Sequence, residues 1–383
     1  MKIAFVVDRF GGRFGGAEAY GVELMRELAR HHDITVFARE YDNDSGLQLP
    51  FVPVRTRKGL PSWLRVFWFA VRASRLTRSG FDIVHSHMNG WCGDVEVVHV
   101  TPVRYNWRVR KMSIIKRLLS FVSPRVQTYL ALEKKRVFAR AGHRTVAVST
   151  LIAEQLKSAY GGDLDAYPVI APGVAPATRL SAEYRRELRA DLGWTPDDYV
   201  CLLVARNPQR KGLFTVLQAL VNLPDNVKLL VVGGNASTRD YVRRNAPSVV
   251  ERVKTIDETS DVTPYYSCAD AYVHPTLNDS FGMAPLEAMA YGLPVILSPS
   301  PWCGFAQYVT HNNDALVLSH PENVEELADY IRQLATSGEL CRLLVDGSRT
   351  LVARHSWLEV ARRYEDLYTE LLQEREGRVA SSR

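Results

Sequence analysis

Cysteine is scarce in this chain: five of 383 residues, Cys92, Cys201, Cys268, Cys303 and Cys341, none in a CxxC pair. That excludes a disulfide scaffold and a zinc ribbon, and it fits a reducing compartment. No apolar run approaches the ~20 residues needed to span a bilayer. The run after Met1-Lys2 is cut by Asp8-Arg9, too early for a signal-peptide core, and reads as a first strand. The G-x-G-x-x-G spacing of dinucleotide enzymes is missing, which argues against an NAD enzyme. His85 and His87 stand at i, i+2 without a third ligand in view, so no metal is expected. These absences lead to the expectation of a cytoplasmic protein.

What is present is apolar content and charge. With 46% hydrophobic residues the chain can bury two sizeable cores. Residues 1–172 hold 26 Lys+Arg against 15 Asp+Glu, while the remainder holds 22 against 27. A basic half joined to an acidic half implies an anionic partner for the first. Nucleic acid, an anionic membrane and a phosphorylated acceptor all satisfy that condition.

The stretch from His274 to Val309 carries most of the chemistry. Leu286, Met289, Ala290 and Leu293 repeat at helical spacing, and Pro285 suits the first helical position. Gly292 and Pro294 stop that helix, and Val295-Ile296-Leu297 reads as a buried strand. Before the helix lies Asp279-Ser280-Phe281-Gly282-Met283-Ala284. Amides there have no intrahelical partner and sit at the positive end of the helix dipole, a ready anion site. Asp279 and Glu287, the latter read as first-turn, bracket the site. A carboxylate accepts from two sugar hydroxyls at once. Phosphate-binding amides between two such carboxylates describe a pocket for a sugar nucleotide.

The run F-G-M-A-P-L-E-A-M-A-Y-G-L-P-V resembles the signature of family 4 retaining glycosyltransferases, which have the two-Rossmann GT-B architecture. Asp279 stands where that family has its first Glu, one methylene shorter. Cys303-Gly304-Phe305-Ala306-Gln307-Tyr308-Val309 is similar to a run in lipopolysaccharide core glucosyltransferases. The resemblance implies an α/β fold with two Rossmann-like domains facing a central cleft. The expected domains are 1–172 for the acceptor, 176–355 for the nucleotide-sugar donor, and 356–377 as a helix crossing back to the first.

Along the chain, Lys2 to Val7 reads as a strand, Asp8 to Gly16 as a loop with four glycines, and Ala17 to about Arg30 as a helix. The resemblance places Gly15 and Gly16 against the donor phosphate. Segment 61–78 is a basic amphipathic helix, to be packed on the sheet or laid in a membrane interface. His87 and His99 fall at strand ends, and His99 is the better match to the family's sugar-side histidine. Residues 104–144 are dense in cations, Arg140 among them, interleaved with Trp107, Ile114, Ile115, Leu118, Leu119 and Phe121. That face suits a phosphorylated glycolipid on an anionic membrane; no nucleic-acid motif accompanies the charge. Tyr167 to Val174 reads as strand plus break. Arg206 and Lys211, five apart after the strand Tyr199 to Ala205, form a cationic pair able to grip a diphosphate. The R-x-x-x-x-K-G run resembles the family's, and the pair would replace a metal. Arg378 to Arg383 reads as a frayed tail.

These expectations converge on a metal-independent retaining hexosyltransferase. It would move a hexose from a UDP-sugar to a cell-envelope glycolipid such as lipopolysaccharide core. The catalytic set is His99, Arg206, Lys211 and Asp279. The donor set is Gly15, Gly16, Arg206, Lys211, Ser280, Phe281, Gly282, Met283, Ala284 and Glu287. No cofactor is expected, the nucleotide-sugar being a substrate, and the location is cytoplasmic, peripheral to the inner membrane. A nucleotide-sugar epimerase of the same fold and a mannosyl-type transferase using a GDP-sugar are the alternatives.

Overall fold

The computed structural model describes residues 1–43, 46–57, 59–138, 142–259 and 261–381. Arg140 of the basic run and Ser382 and Arg383 of the tail lie outside the described residues. The chain divides into two compact units, Met1–Gly173 with Trp357–Arg383, and Val174–Ser356.

In the first unit, six parallel strands run in the order Phe51–Pro53, Asp33–Ala38, Lys2–Val6, Ile83–Ser86, Val95–Val98, Arg144–Ala147. Ile3 to Val6 are fully buried, the mark of a strand covered on both faces. In the second unit the order is Val253–Asp257, Val227–Gly234, Tyr199–Val204, Ala271–His274, Val295–Leu297, Leu316–Val317, also parallel. Both sheets thus share the doubly wound order 3-2-1-4-5-6. In such a sheet the ligand crevice opens at the carboxyl ends where the winding reverses, between its first and fourth strands. In the second unit these are Tyr199–Val204 and Ala271–His274.

Three local expectations are corrected. Residues 167–174 form no strand, only two isolated bridges, Val169 to Ala147 and Val174 to Ser356. Pro168 and Pro172 each remove a ladder donor, which explains the break. The helix of the signature begins at Met283, so Pro285 is its third residue and Glu287 its fifth, each two positions further in than expected, which takes Glu287 out of the first turn. A proline is accommodated there because the first four N–H groups of a helix lack internal acceptors.

Helix Ser62–Leu76 lays Phe69, Ala70 and Ala73 on the first sheet, in a core with Val6, Phe37, Val54 and Val84. Of the two placements expected for segment 61–78, this is the packed one. Helix Trp357–Ser381 belongs to the first unit and buries Trp357, Val360, Ala361, Tyr364, Leu367, Tyr368 and Leu371.

Candidate active site

Two loops meet at the winding reversal of the second sheet. The first leaves strand Tyr199–Val204 and runs to Gly212, which caps helix Leu213–Val221 with φ +88°. A Cβ at Gly212 would overlap the carbonyl of Pro275, so only glycine lets the loops approach. The Leu277 amide donates to the Arg210 carbonyl (3.0 Å) and locks the pair. Lys211 is thereby held against the second loop, where its ammonium pairs with Asp279 Oδ2.

The same Oδ2 accepts from His274 Nε2 at 3.0 Å, and Tyr272 Oη lies 3.3 Å from His274 Nδ1. Burial holds the His274 imidazole below its usual range. The neutral ring therefore keeps its proton on Nε2 for the carboxylate and accepts from the Tyr272 hydroxyl at Nδ1. Burial by itself would raise the Asp279 carboxyl. The His274 hydrogen bond and the Lys211 charge more than offset it, leaving Asp279 well below the ordinary carboxylate range. Asp279 is thus a fixed anion, and Lys211 a cation whose present partner is that anion.

The loop after Asp279 is pinned by a short ladder. The Asp279 amide donates to the Trp302 carbonyl (2.7 Å), Gly304 to Asp279 (3.0 Å) and Phe305 to Phe281 (2.5 Å). The Cys303–Val309 run thus has a structural task besides its resemblance. The Phe281 ring packs against Phe305 and Tyr308, at 5.4 and 5.6 Å between centroids. Gly282 (φ +113°) turns the chain into helix Met283–Ala290, which has no side-chain cap and no acid in its first turn. Phosphate-sized anions are favoured at such a helix mouth. Ser280, Met283 and Ala284 flank it. Glu287 lies one turn in, takes a 2.9 Å hydrogen bond from the Tyr266 hydroxyl, and is raised in pKa by burial.

Arg206 is not beside Lys211's carboxylate. It is largely exposed and paired with Glu258. The two cations of the expected clamp thus share one loop but rest on different acids. In the first unit, Gly15 caps helix Gly16–Leu28, and a Cβ on Gly16 would meet nothing within 4 Å. His99 follows strand Val95–Val98 and joins a cluster: His85 Nε2 is 3.0 Å from His87 Nε2, and the His87 and His99 rings are 4.4 Å apart. Tyr20 packs on His99 (4.9 Å), and Tyr368 bonds His85 from the returning helix. Burial pushes His85 and His99 down to about 3, so both rings are neutral.

Sequence reading missed His274, Tyr266 and Glu258. His274 could have been found as a polar residue ending an apolar strand, the same cue that singled out His99. Glu258 had no signal, because its pairing depends on how two separate loops are laid side by side.

Comparison with known proteins adds a second line of observation. Residues 14–178 match the family model described as Glycosyltransferase Family 4. Residues 184–350 match the one described as Glycosyl transferases group 1. The chain is 29% identical to a D-inositol 3-phosphate glycosyltransferase of Xylanimonas cellulosilytica, covering 96% of this chain and 94% of that one. It is 22% identical to lipopolysaccharide glucosyltransferase WaaG of Escherichia coli, over 96% of each. A crystal structure of WaaG superposes with a TM-score of 0.80 at 20% identity, covering 96% and 99%. The Anabaena protein HepE, solved with UDP-glucose, superposes with 0.74 at 18% identity, covering 97% and 100%.

Proposed function

Since this chain belongs to the GT-B glycosyltransferases of group 1 and family 4, we propose that it is a retaining, metal-independent hexosyltransferase. Its donor is a UDP-hexose and its acceptor an anionic envelope glycolipid. The observation that carries the reading is the junction of Lys211, Asp279 and His274 beside the uncapped helix mouth at Gly282.

In this reading, Lys211 and the amides of the helix mouth take up the charge of the departing diphosphate, which stabilises the developing anion without a metal. Arg206 leaves the exposed Glu258 and turns to the same phosphates. Asp279, kept ionised and oriented by His274, accepts from donor-sugar hydroxyls; Glu287 holds the ribose. The acceptor oxygen bonds to the anomeric carbon on the face from which the diphosphate leaves, and the acceptor proton passes to the departing phosphate oxygen. Gly15, Gly16 and His99 are assigned to donor and sugar contacts by resemblance.

The UDP donor rests on HepE having been solved with UDP-glucose, and the lipopolysaccharide-type acceptor on WaaG. The membrane assignment has local support in helix Ile114–Val122. Ile114, Ile115, Leu118, Leu119, Phe121 and Val122 are each more than half exposed. Lys111, Lys116, Arg117 and Arg125 surround them, also exposed. Apolar side chains ringed by cations suit an anionic lipid surface at ~1 kcal/mol per cation. The inositol-phosphate relative favours a second acceptor, a soluble phosphorylated polyol.

The test is turnover with labelled UDP-glucose, UDP-galactose and GDP-mannose. Truncated lipopolysaccharide and D-inositol 3-phosphate serve as acceptors, with and without EDTA. Transfer from a UDP-hexose to the lipopolysaccharide, with the donor's anomeric configuration kept and EDTA without effect, is expected. An inverted linkage or EDTA inactivation overturns the mechanism. Preference for GDP-mannose or for the polyol overturns the donor or the acceptor.

A further inference from the structure

On the first unit, a groove of about 460 Å³ lies between the loop after Pro53 and helix Ser62–Leu76. Arg55, Thr56, Arg57, Leu60, Trp68 and Arg72 line it. Its walls are anchored: Val54 at the start of the loop and Phe69 and Ala73 on the helix are buried in one core. Arg72 Nη1 donates to the Arg55 carbonyl at 2.6 Å, tying wall to wall. The loop leaves the carboxyl end of strand Phe51–Pro53, the side on which parallel sheets take ligands.

Three guanidinium groups share this groove. Among the described residues no carboxylate lines it, and none of the three pairs with a carboxylate. Like charges gathered in one concavity raise each other's cost, and an anion that enters relieves all three. Guanidinium forks match phosphate oxygens in pairs. A bare phosphate would leave Leu60 and the indole of Trp68, 46% exposed, uncovered. A sugar ring offers an apolar C–H face for the indole and hydroxyls for Thr56, and the volume suits one phosphorylated monosaccharide.

We infer that this groove binds an anionic saccharide, a phosphate-bearing sugar, which on the glycosyltransferase reading is a unit of the acceptor. The site is distinct from the junction at Lys211, and nothing in its argument requires the donor.

The experiment is calorimetric titration of the full chain, without nucleotide, with glucose 6-phosphate, methyl glucoside and inorganic phosphate. Tryptophan emission is followed in parallel in wild type and Trp68→Phe. Glucose 6-phosphate is expected to bind at least about tenfold tighter than either fragment and to change the emission of Trp68. Arg55→Ala, Arg57→Ala and Arg72→Ala should each weaken it about tenfold, the scale of one charged hydrogen bond. Arg72→Lys should recover part of the loss, and Lys211→Ala should bind as wild type. Arg57 has an exposed side chain, so its variant keeps the fold. Unchanged affinity in Arg57→Ala, equal binding of inorganic phosphate, or an equal response of Trp68 to phosphatidylglycerol vesicles overturns the assignment. Turnover assays report on which donor and acceptor react and not on binding of an isolated sugar phosphate at this groove, so the failure of either leaves the other standing.

Discussion

A single carboxylate oxygen, Asp279 Oδ2, receives both a lysine ammonium and an imidazole N–H. Its depressed pKa means the folded state holds the charged form more firmly than the unfolded chain does. The stabilisation is therefore present above the unfolded value of about 4 and disappears as pH falls. Asp279→Asn should be less stable than wild type in urea at pH 7, and the gap should begin to narrow only below about pH 4 and go on narrowing as pH falls toward the depressed folded value. A gap of the same size at pH 3 as at pH 7 would show that packing, not charge, is lost. Lys211→Ala should slow transfer by about 10²-fold or more, on the scale of removing one charge-stabilising donor, measured as UDP release with acceptor present. At this scale the sequence was legible where a motif places residues within one loop, as with Asp279 and Gly282. It was not legible for Arg206, whose partner Glu258 sits on a different loop.

Elements were legible where apolar periodicity decides them. The central strands and the helix after Gly282 were readable because burial on both faces, or on one helical stripe, leaves a pattern. The stretch 167–174 has strand composition but two prolines, and there the missing donors outweigh propensity. Loop-to-loop contact is the least readable level. Gly212 looks like an ordinary helix-start glycine, yet its Cβ position is filled by the Pro275 carbonyl. Gly212→Ala should lower the melting temperature and abolish transfer together, since left-handed backbone alone costs about 1–2 kcal/mol and the overlap adds to it. Gly193→Ala, also at positive φ but with nothing within 4 Å, is the control and should show the backbone cost only. On helix Ile114–Val122, Ile115→Asp with Leu118→Asp should weaken binding to anionic vesicles by about tenfold per residue. The melting temperature should stay unchanged, because these side chains are exposed. Co-sedimentation and calorimetry check the two halves of that statement.

At the scale of the whole molecule, the first unit holds buried neutral histidines. His85 and His99 are pushed down to about 3 by burial, and His87 is also lowered. In the unfolded chain such rings protonate near 6.5, so acid draws the equilibrium toward unfolding. The stability held above that pH drains away as pH falls toward 3. For His85 alone, fully buried, the loss at pH 5 is about 2 kcal/mol. Calorimetry from pH 7 to pH 5 should show the transition of the first unit moving down more than that of the second. Equal shifts would mean the cluster does not govern acid stability.

Helix Trp357–Ser381 completes the unit that contains Met1, and the second unit is an uninterrupted insertion between Gly173 and Trp357. The insertion closes on itself, with the Val174 amide donating to the His355 carbonyl at 2.6 Å. On the ribosome, then, the portion made first must wait. Tyr20 and His85 stay without Tyr364 and Tyr368 while the inserted body emerges and folds. A chain cut after Ser356 is therefore expected to keep its second unit folded while its first loses the packing of Tyr20 and His85 against the missing helix, which limited proteolysis would show.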